Sequence, residues 1–189
     1  RQPILNDWII GVQIDFSKFR ISRMEEGEKI EESFNCGDAD LNDFILHEAS
    51  FYREALLAVS YIAKVDDRII AYFSLANDRV SLGDFENKTE FNRFRKHRFV
   101  NDKRLKSCPA VKICRFAVDV AYSGTGIGTV LMDFIKDYFI ENNKTGCHFI
   151  TVDAYLNAIP FYEKNNFSLL LPNDDDKHTR LLYYDLKEE

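Results

Sequence analysis

The sequence predicts an α/β protein in which helices flank one mixed β-sheet, and three observations lead to this class. Short runs rich in Val, Ile, Tyr and Phe alternate with segments whose apolar residues recur every three or four positions. Two of the runs are joined by a two-residue turn, which implies an antiparallel hairpin. Strand–helix–strand stretches in the second half imply parallel pairing, because parallel strands need a long crossover connection.

The composition is that of a chain with a large core. Hydrophobic residues make up 46% of its 189 positions and aromatic residues 14%, with only 8 Gly and 4 Pro, which excludes a disordered or collagen-like chain. No window approaches the ~18 uncharged apolar residues that a membrane-spanning helix needs. Residues 1–8 show no signal-peptide pattern. We therefore expect a cytoplasmic protein with a single domain over residues 1–189 and a core over about 16–186.

The first half of the chain is predicted to hold three strands and one helix. A strand over residues 16–24 precedes a helix that Asp38 or Asp40 can cap. The apolar face of that helix consists of Leu41, Phe44, Ile45, Ala49 and Tyr52. Strands over 56–65 and 68–76 follow, and Asp66 and Asp67 form the turn between them.

The second half is predicted to alternate strands and helices. The elements are a short helix within 90–99, a strand over 110–120 after Pro109, a helix over 128–142, a strand over 147–153, a helix over 157–164, and strands over 167–171 and 179–186. The helix over 128–142 is amphipathic, and its buried face is expected to hold Leu131, Phe134, Ile135, Tyr138 and Phe139. No internal repeat is present, and no linker separates two cores.

The cysteines and histidines do not point to a metal site. The four cysteines form no C-x-x-C pair, and the four histidines share no i, i+4 helical face. We expect ordinary buried thiols in a reducing compartment. The cysteines are Cys36, Cys108, Cys114 and Cys147.

Positive charge is concentrated in one part of the chain. Residues 88–115 hold ten basic and two acidic side chains, a local charge of +8 in a chain whose net charge is −6, so the remainder carries −14. Two interpretations stay open for this basic insertion, which covers about 88–108. It is either a solvated segment near a sheet edge or a docking surface for an anion such as a nucleotide phosphate, an RNA backbone or an acidic protein.

The most informative stretch runs from 116 to 129, where a predicted strand enters a turn with glycines at 124, 126 and 128 and a helix follows. Glycine permits positive φ and close approach of a ligand, so several amide N–H groups can converge on a pyrophosphate at the helix N-terminus. The spacing does not fit the dinucleotide G-x-G-x-x-G fingerprint, and no Gly-Lys-Ser/Thr of a Walker loop is present. A glycine-rich turn without a ligand remains the alternative.

A second segment adds to this pattern: Asn157, Ala158, the pair Phe161 and Tyr162, and a turn at Asn166 and Phe167. Asn166 stands where a left-handed residue is expected. Together the two segments resemble the GNAT superfamily of N-acetyltransferases, in which a strand leads into Q/R-x-x-G-x-G/A and the later signature follows in this order. Residues 123–128 read S-G-T-G-I-G, with Ser123 in place of Gln or Arg.

The resemblance implies a mostly antiparallel sheet with a central, splayed parallel strand pair, and acetyl-CoA as cofactor. It implies that the backbone of Phe116 and Val118 bonds the pantetheine arm, that the Val118 amide faces the oxyanion, and that Tyr162 protonates the departing thiolate. The implied cofactor-binding residues are Phe116, Ala117, Val118, Ser123, Gly124, Thr125, Gly126, Ile127, Gly128, Thr129, Asn157 and Phe161. No general base is identifiable; a water chain, Asp119 or Asp153 would serve, and for Asp119 we favour a structural role as a cap.

The stretch from 34 to 44, F-N-C-G-D-A-D-L-N-D-F, resembles the opening of a GNAT branch that includes toxin acetyltransferases acting on aminoacyl-tRNA. In that reading tRNA approaches Arg93, Arg95, Lys96 and Arg98, and an antitoxin is the protein partner, although the −14 charge elsewhere opposes binding of a polyanion.

Three functions stay open. They are an N-acetyltransferase that moves acetyl from acetyl-CoA to a primary amine in a ternary complex, a toxin-type enzyme, and a non-catalytic acyl-CoA-binding or protein-interaction module. A homodimer is also open, with Phe99, Tyr155, Tyr183 and Tyr184 as either its surface or part of the core.

Overall fold

The computed structural model describes residues 14–28, 30–96, 98–99, 105–141, 145–171 and 176–188. In these residues seven strands form one sheet in the order β1-β2-β3-β4-β5-β7-β6. The strands are β1 (Phe19–Arg23), β2 (Val59–Val65), β3 (Arg68–Ser81), β4 (Ser107–Val118), β5 (Phe149–Tyr155), β6 (Ser168–Leu169) and β7 (Thr179–Asp185). β4 and β5 pair in parallel, whereas β1 with β2, β5 with β7 and β6 with β7 pair antiparallel. The predicted mixed sheet with a central parallel pair is confirmed.

Among the described residues, the α-helices are α1 (Ala39–Asp43), α2 (Ala49–Glu54), α3 (Lys88–Arg95), α4 (Ile127–Glu141) and α5 (Ile159–Lys164). A π-helical turn, Phe44–Glu48, joins α1 to α2, and 3₁₀ turns cover Leu82–Asp84, Val120–Tyr122 and Leu156–Ala158. The chain divides into two compact units, Arg1–Ser74 with Arg115–Leu131 and Leu75–Cys114 with Met132–Glu189.

In the first unit, the predicted N-terminal helix is present and Asp38, rather than Asp40, caps it. The Asp38 side chain accepts a hydrogen bond of 3.0 Å from the Leu41 N–H. Phe44 and Ile45 are both buried, as the periodicity predicted. The Tyr72 ring from β3 packs on Phe44, and its hydroxyl donates to the Leu41 carbonyl at 2.7 Å. The helical segment is thus fixed to the sheet through one aromatic residue.

The predicted strand over 56–65 is wrong at its start. Leu56 has φ +58° and is 92% exposed, and Leu57 is 60% exposed, so the strand begins only at Val59. A left-handed residue ends the preceding helical segment, and apolar composition alone does not reveal it. The turn at Asp66 and Asp67 is confirmed, with Asp66 at φ +53°.

β3 and β4 extend beyond their predicted bounds. β3 continues to Ser81 through residues that are exposed or partly buried, apart from the buried Val80. The Thr151 hydroxyl donates to the carboxylate of Asp78 in this extension at 2.5 Å. β4 begins at Ser107, so Pro109 lies inside the strand rather than before it. Pro109 accepts a hydrogen bond from His148 N–H at 2.9 Å through its carbonyl, the one backbone group of proline that can pair.

The second unit has an aromatic core around Phe149. The rings of Phe94, Phe99 and Tyr183 lie 5.3, 6.2 and 5.8 Å from it. Phe99 and Tyr183 therefore serve core packing rather than an apolar dimer surface, whereas Tyr155 is 48% exposed. In α4 the fully buried residues include Leu131, Met132 and Ile135, whereas Phe134 and Tyr138 are only partly buried, contrary to the predicted face.

The four cysteines are present as thiols, and Cys108 is buried. Burial raises the pKa of the Cys147 thiol to about 11, and it also raises the pKa of Cys36 and of Cys108. Within the described ranges, no helix combines the length and apolar character needed to cross a membrane.

Candidate functional site

The glycine-rich turn predicted between strand and helix is present, and we call residues 123–129 the glycine cradle. β4 ends at Val118, the 3₁₀ turn Val120–Tyr122 follows, and α4 begins at Ile127. Gly124 has φ +76° and Gly126 φ +87°, which are conformations that favour glycine. A Cβ added at either residue would meet no atom within 4 Å. The backbone here is therefore open to a ligand.

Several amide N–H groups of the cradle have no acceptor in the part of the chain that the structure describes. Ser123 N–H donates to the Val120 carbonyl and Thr125 N–H to the Tyr122 carbonyl, each at 3.3 Å. Within the residues that the structure describes, none accepts a hydrogen bond from the N–H groups of Gly124, Gly126, Ile127, Gly128 or Thr129. A 15-residue helix adds the positive end of its dipole at this place. The arrangement suits an anion.

The side chains of the cradle contribute less than its backbone. The Thr125 hydroxyl donates to the Tyr122 carbonyl at 2.5 Å, so it is engaged within the turn. Ile127 is buried and fixes the first turn of α4. Ser123, which replaces the family's Gln or Arg, is exposed and shorter than either. The cradle would therefore bind an anion through its backbone N–H groups.

The end of β4 holds the three further residues predicted to contact the cofactor. Ala117 is buried, whereas Phe116 and Val118 are partly buried. Within the described residues, the parallel register of β4 with β5 runs from Ala110 opposite Phe149 to Ile113 opposite Val152. β4 then continues five residues to Val118.

Asp119, one of the two candidate bases, has a structural place. It is 2% exposed, and its carboxylate accepts from Ala121 N–H at 2.9 Å and from Asn35 N–H at 3.1 Å. Asp153, the other candidate, is exposed and forms an ion pair with Lys112. Both carboxylates are thus engaged by protein groups, and the favoured role of Asp119 as a cap is supported.

Tyr162 lies in α5 of the second unit, in an aromatic setting. Its ring centroid is 5.3 Å from that of Phe161 and 5.5 Å from that of Phe167. It is 5% exposed, and this burial raises the pKa of its phenol above the ordinary value of ~10. The hydroxyl carries its proton in the neutral range, as a phenol of ordinary pKa also does, and it can donate or accept a hydrogen bond.

The other predicted residues of this segment fall at its start and its end. Asn157 is exposed in the 3₁₀ turn that precedes α5. Asn166 has φ +66°, which confirms the predicted left-handed turn. The Phe167 N–H returns to the Tyr162 carbonyl at 3.0 Å, so this turn closes the C-terminal end of the helix.

Sequence reasoning missed Lys136. Its side chain is only 8% exposed; Nζ donates to the Asn165 carbonyl at 2.8 Å and lies 4.2 Å from the Tyr184 ring centroid. The Asn165 amide donates in turn to the Phe161 carbonyl at 2.8 Å, so the lysine fixes the end of α5. Desolvation lowers the pKa of Lys136. The available signal was its place four residues after Met132 and three before Phe139 on the buried face of α4.

The structure separates the four basic residues predicted to approach tRNA. Arg95 donates to the Leu105 carbonyl at 2.7 Å, and Arg98 bonds the Asp185 carboxylate at 3.1 Å and the Tyr183 hydroxyl at 3.2 Å. These two side chains are half-buried and structural. Arg93, on α3, and Lys96, which caps its C-terminal end, are exposed. Of the four residues predicted to approach tRNA, these two are the exposed ones; residues 97 and 100–104 of the insertion lie outside the described residues.

The comparisons with known proteins agree with this geometry. The family model described as Acetyltransferase (GNAT) domain matches residues 95–187. None of the curated proteins matches the chain.

Three solved structures illustrate the similarity of fold. A Tyr→Phe variant of KacT has a TM-score of 0.72 at 20% identity, covering 90% of this chain and 96% of KacT. AtaT complexed with acetyl-methionyl-tRNAfMet has a TM-score of 0.67 at 19% identity, with 89% and 95% covered. A Tyr→Phe variant of the AtaT toxin, bound to the C-terminus of the antitoxin AtaR and to acetyl-CoA, has a TM-score of 0.65 at 19% identity, with 90% and 94% covered. Residues 95–187 of this chain thus match the model of the GNAT acetyltransferase domain, and the chain shares the fold of these structures.

Proposed function

We propose that the chain is an acetyl-CoA-dependent N-acetyltransferase that transfers the acetyl group to a primary amine by direct attack in a ternary complex. The observation that carries the proposal is the row of amide N–H groups at the start of α4 that have no acceptor among the described residues, beside two open glycines with positive φ. The GNAT family match and the acetyl-CoA bound to AtaT, a protein of the same fold, support it.

The cradle fits the diphosphate of coenzyme A. A diphosphate needs several hydrogen-bond donors within one concavity, and the N–H groups of Gly124, Gly126 and the first turn of α4 supply them without a lysine or arginine. The absence of Cβ atoms at Gly124 and Gly126 leaves room for the phosphate oxygens. We propose contacts from Ser123, Gly124, Thr125, Gly126, Ile127, Gly128 and Thr129.

We propose that the last residues of β4 bind the pantetheine arm. The strand extends beyond Ile113, the last residue in its described parallel register with β5, so backbone groups of Phe116 and Val118 are candidates to pair with the amides of the arm. Ala117 is buried and supports the strand from the core. The Val118 N–H is our candidate donor to the oxyanion. Asn157 and Phe161 are proposed as further contacts to the arm.

Acetyl-CoA, when bound, supplies an acetyl thioester. Transfer forms a bond between the amine nitrogen and the carbonyl carbon, breaks the carbon–sulfur bond, and requires a proton for the departing thiolate and an acceptor for the ammonium proton. We propose that the Tyr162 hydroxyl donates to the sulfur. A phenol with the ordinary pKa of ~10 is protonated at neutral pH, as a donor must be, and burial raises the pKa of Tyr162 further.

A second candidate is a toxin-type enzyme that acetylates aminoacyl-tRNA. It is supported by the shared fold with AtaT, which was crystallised with acetyl-methionyl-tRNAfMet, and by the exposed cations of Arg93 and Lys96. In this reading an antitoxin is a further partner, as AtaR is for AtaT. The acidic balance of the remaining chain opposes tRNA binding.

The test is mass spectrometry of acetyl-CoA turnover against charged tRNA, polyamines, amino acids and peptides. Acetylation of any amine class supports the enzyme, and acetylation of charged tRNA alone selects the toxin-type reading. Binding of coenzyme A without turnover on any acceptor would favour a non-catalytic acyl-CoA-binding module. Failure to bind coenzyme A would overturn the proposal.

A further inference from the structure

We infer that Asn35 and Asp119 are positioning residues for cofactor binding: the turn at 34–38, called the Asn35 turn below, holds the glycine cradle in its binding conformation through Asp119. This inference rests on the proposed function, because it assigns to the F-N-C-G-D motif a task in the same site. Neither residue is proposed to touch the cofactor.

Two reciprocal hydrogen bonds join the Asn35 turn to the segment before the cradle. Val120 N–H donates to the Asn35 carbonyl at 2.8 Å, and Asn35 N–H donates to the Asp119 carboxylate at 3.1 Å. Gly37, at φ +86°, also approaches closely, since a Cβ there would lie 3.5 Å from a methyl carbon of Val120. Residues 84 positions apart in the chain are thus connected at adjacent points.

Asp119 connects this contact to two further segments. The other oxygen of its carboxylate accepts from Ala121 N–H at 2.9 Å, and its own N–H donates to the Ile70 carbonyl of β3 at 2.8 Å. The Arg68 guanidinium lies 3.9 Å from the carboxylate and 5.8 Å from the centroid of the Tyr122 ring. One buried carboxylate therefore fixes the start of the 3₁₀ turn relative to the sheet.

The Asn35 turn is itself anchored. The Asn35 side-chain oxygen accepts from Gly37 N–H and from the Asn42 amide, each at 2.9 Å, and the Asn42 oxygen accepts from Cys36 N–H at 2.9 Å. Phe34, at its start, is buried against the Tyr72 ring. The turn is a rigid support because both its backbone and its side chains are fixed to α1 and the core.

The cradle needs such a support. The turn Val120–Tyr122 has only three residues and Val120 is 53% exposed, so it cannot hold its own conformation. The first two hydrogen bonds of the cradle depend on this turn, because Ser123 N–H donates to the Val120 carbonyl and Thr125 N–H to the Tyr122 carbonyl. Glycines lose much conformational freedom when they are ordered. Fixing the turn before binding reduces that cost and raises affinity for the diphosphate.

The test is Asp119→Asn, which keeps the side-chain shape but leaves only one oxygen for two N–H donors. We expect the Kd for coenzyme A, measured by calorimetry, to rise ~10- to 100-fold, from loss of a buried charge-assisted hydrogen bond. In the protein without coenzyme A, we expect faster hydrogen exchange at the Val120 and Ala121 amides while β5 amides keep their protection. Asp43→Asn, which removes an exposed carboxylate paired with His47 at 2.8 Å, is the matched control and should change neither quantity.

The outcomes separate this inference from the proposed function. Wild-type protein that does not bind coenzyme A defeats the proposed function, whereas the exchange measurement still tests the Asn35 support. Wild-type binding with unchanged Kd and unchanged Val120 exchange in Asp119→Asn overturns the inference. If Asp119→Asn unfolds, Asn35→Ala replaces it: this variant removes only the two side-chain acceptances, and it should raise the Kd and the Val120 exchange rate by smaller factors, with unchanged values overturning the inference.

Discussion

The glycine cradle and the segment around Tyr162 are opposite kinds of structure. The cradle is exposed, offers backbone N–H groups, and its two positive-φ glycines have no atom within reach of a Cβ. Tyr162 is 5% exposed, packs between two aromatic rings, and offers one hydroxyl. The first region is fixed by hydrogen bonds to its neighbours, and the second by packing.

This difference predicts which substitutions each region should tolerate. A backbone site is insensitive to the identity of its side chains but sensitive to any atom or charge placed in its opening. A buried hydroxyl depends on one oxygen atom, so removing that atom should affect the reaction and leave the cavity shape almost unchanged.

The largest effect is expected from Gly126→Asp. The new carboxylate would enter the opening, repel the diphosphate and strain a residue at φ +87°. Calorimetry should show the affinity for acetyl-CoA lowered ~1,000-fold or more, because several charge-assisted hydrogen bonds are lost together. Unchanged affinity would show that the cradle does not hold the cofactor.

Gly27→Asp is the matched control for this substitution. Gly27 has φ +74°, and a Cβ there also meets no atom within 4 Å, so backbone strain and added charge are the same. It follows β1 and lies outside the cradle. A comparable loss of acetyl-CoA affinity in this control would mean that strain or net charge, rather than the cradle, explains the first result.

Tyr162→Phe should lower kcat by ~100-fold and leave the Kd for acetyl-CoA within about twofold, since it removes a proton donor and little packing. Tyr72→Phe is the control, because Tyr72 is also fully buried and loses a hydroxyl bonded to Leu41. The control should lower stability by ~1 kcal/mol with kcat retained. Steady-state kinetics with an acceptor that the enzyme acetylates measures kcat of both variants. An undiminished kcat in Tyr162→Phe would show that this residue serves packing alone.

Alkaline unfolding tests the burial of the same two tyrosines. Burial raises the pKa of Tyr72 and of Tyr162 in the folded state. Below the unfolded pKa of ~10 their stabilising contribution is complete; above it the unfolded chain releases protons that the native state retains, so stability falls as pH rises. Urea unfolding should show each Tyr→Phe variant losing ~1.4 kcal/mol less stability than the wild type over the range from pH 9 to 11. Parallel curves would contradict the burial.

A smaller effect is expected at the exposed cations of the basic insertion. If tRNA is the acceptor, Arg93→Gln with Lys96→Gln should weaken its binding ~10-fold at low salt and lower the slope of affinity against salt by about 1.5. Arg20→Gln with Arg23→Gln removes the same charge from exposed positions of β1 and should have less effect. Filter binding across a salt series measures the tRNA affinity of both double variants. Equal losses of affinity in the two would exclude a tRNA surface at α3.

Most elements could be predicted from sequence, because their signals are local. The 3.6-residue spacing of Phe44, Ile45 and Ala49 and the glycines at 124 and 126 each determine structure within a few neighbours. The left-handed turn at Asn166 is of the same kind. These features are confirmed in the structure.

The predictions failed where contacts with residues distant in the sequence determine the structure. The count of basic residues predicts surface charge at Arg95 and Arg98, but it cannot reveal their partners, the Leu105 carbonyl and Asp185. The contact of Asn35 with Asp119 joins positions 84 residues apart. No local pattern encodes such a pair, although both residues lay in motifs that the sequence singled out.

The most direct test of the cradle is an amide-resolved NMR titration of the protein with coenzyme A and, separately, with pantetheine, which lacks the diphosphate. The account predicts that coenzyme A shifts the amide resonances of Gly124, Gly126 and the first turn of α4, and that pantetheine leaves them in place. Shifts of equal size with both ligands, or cradle resonances that do not move while others do, would contradict it.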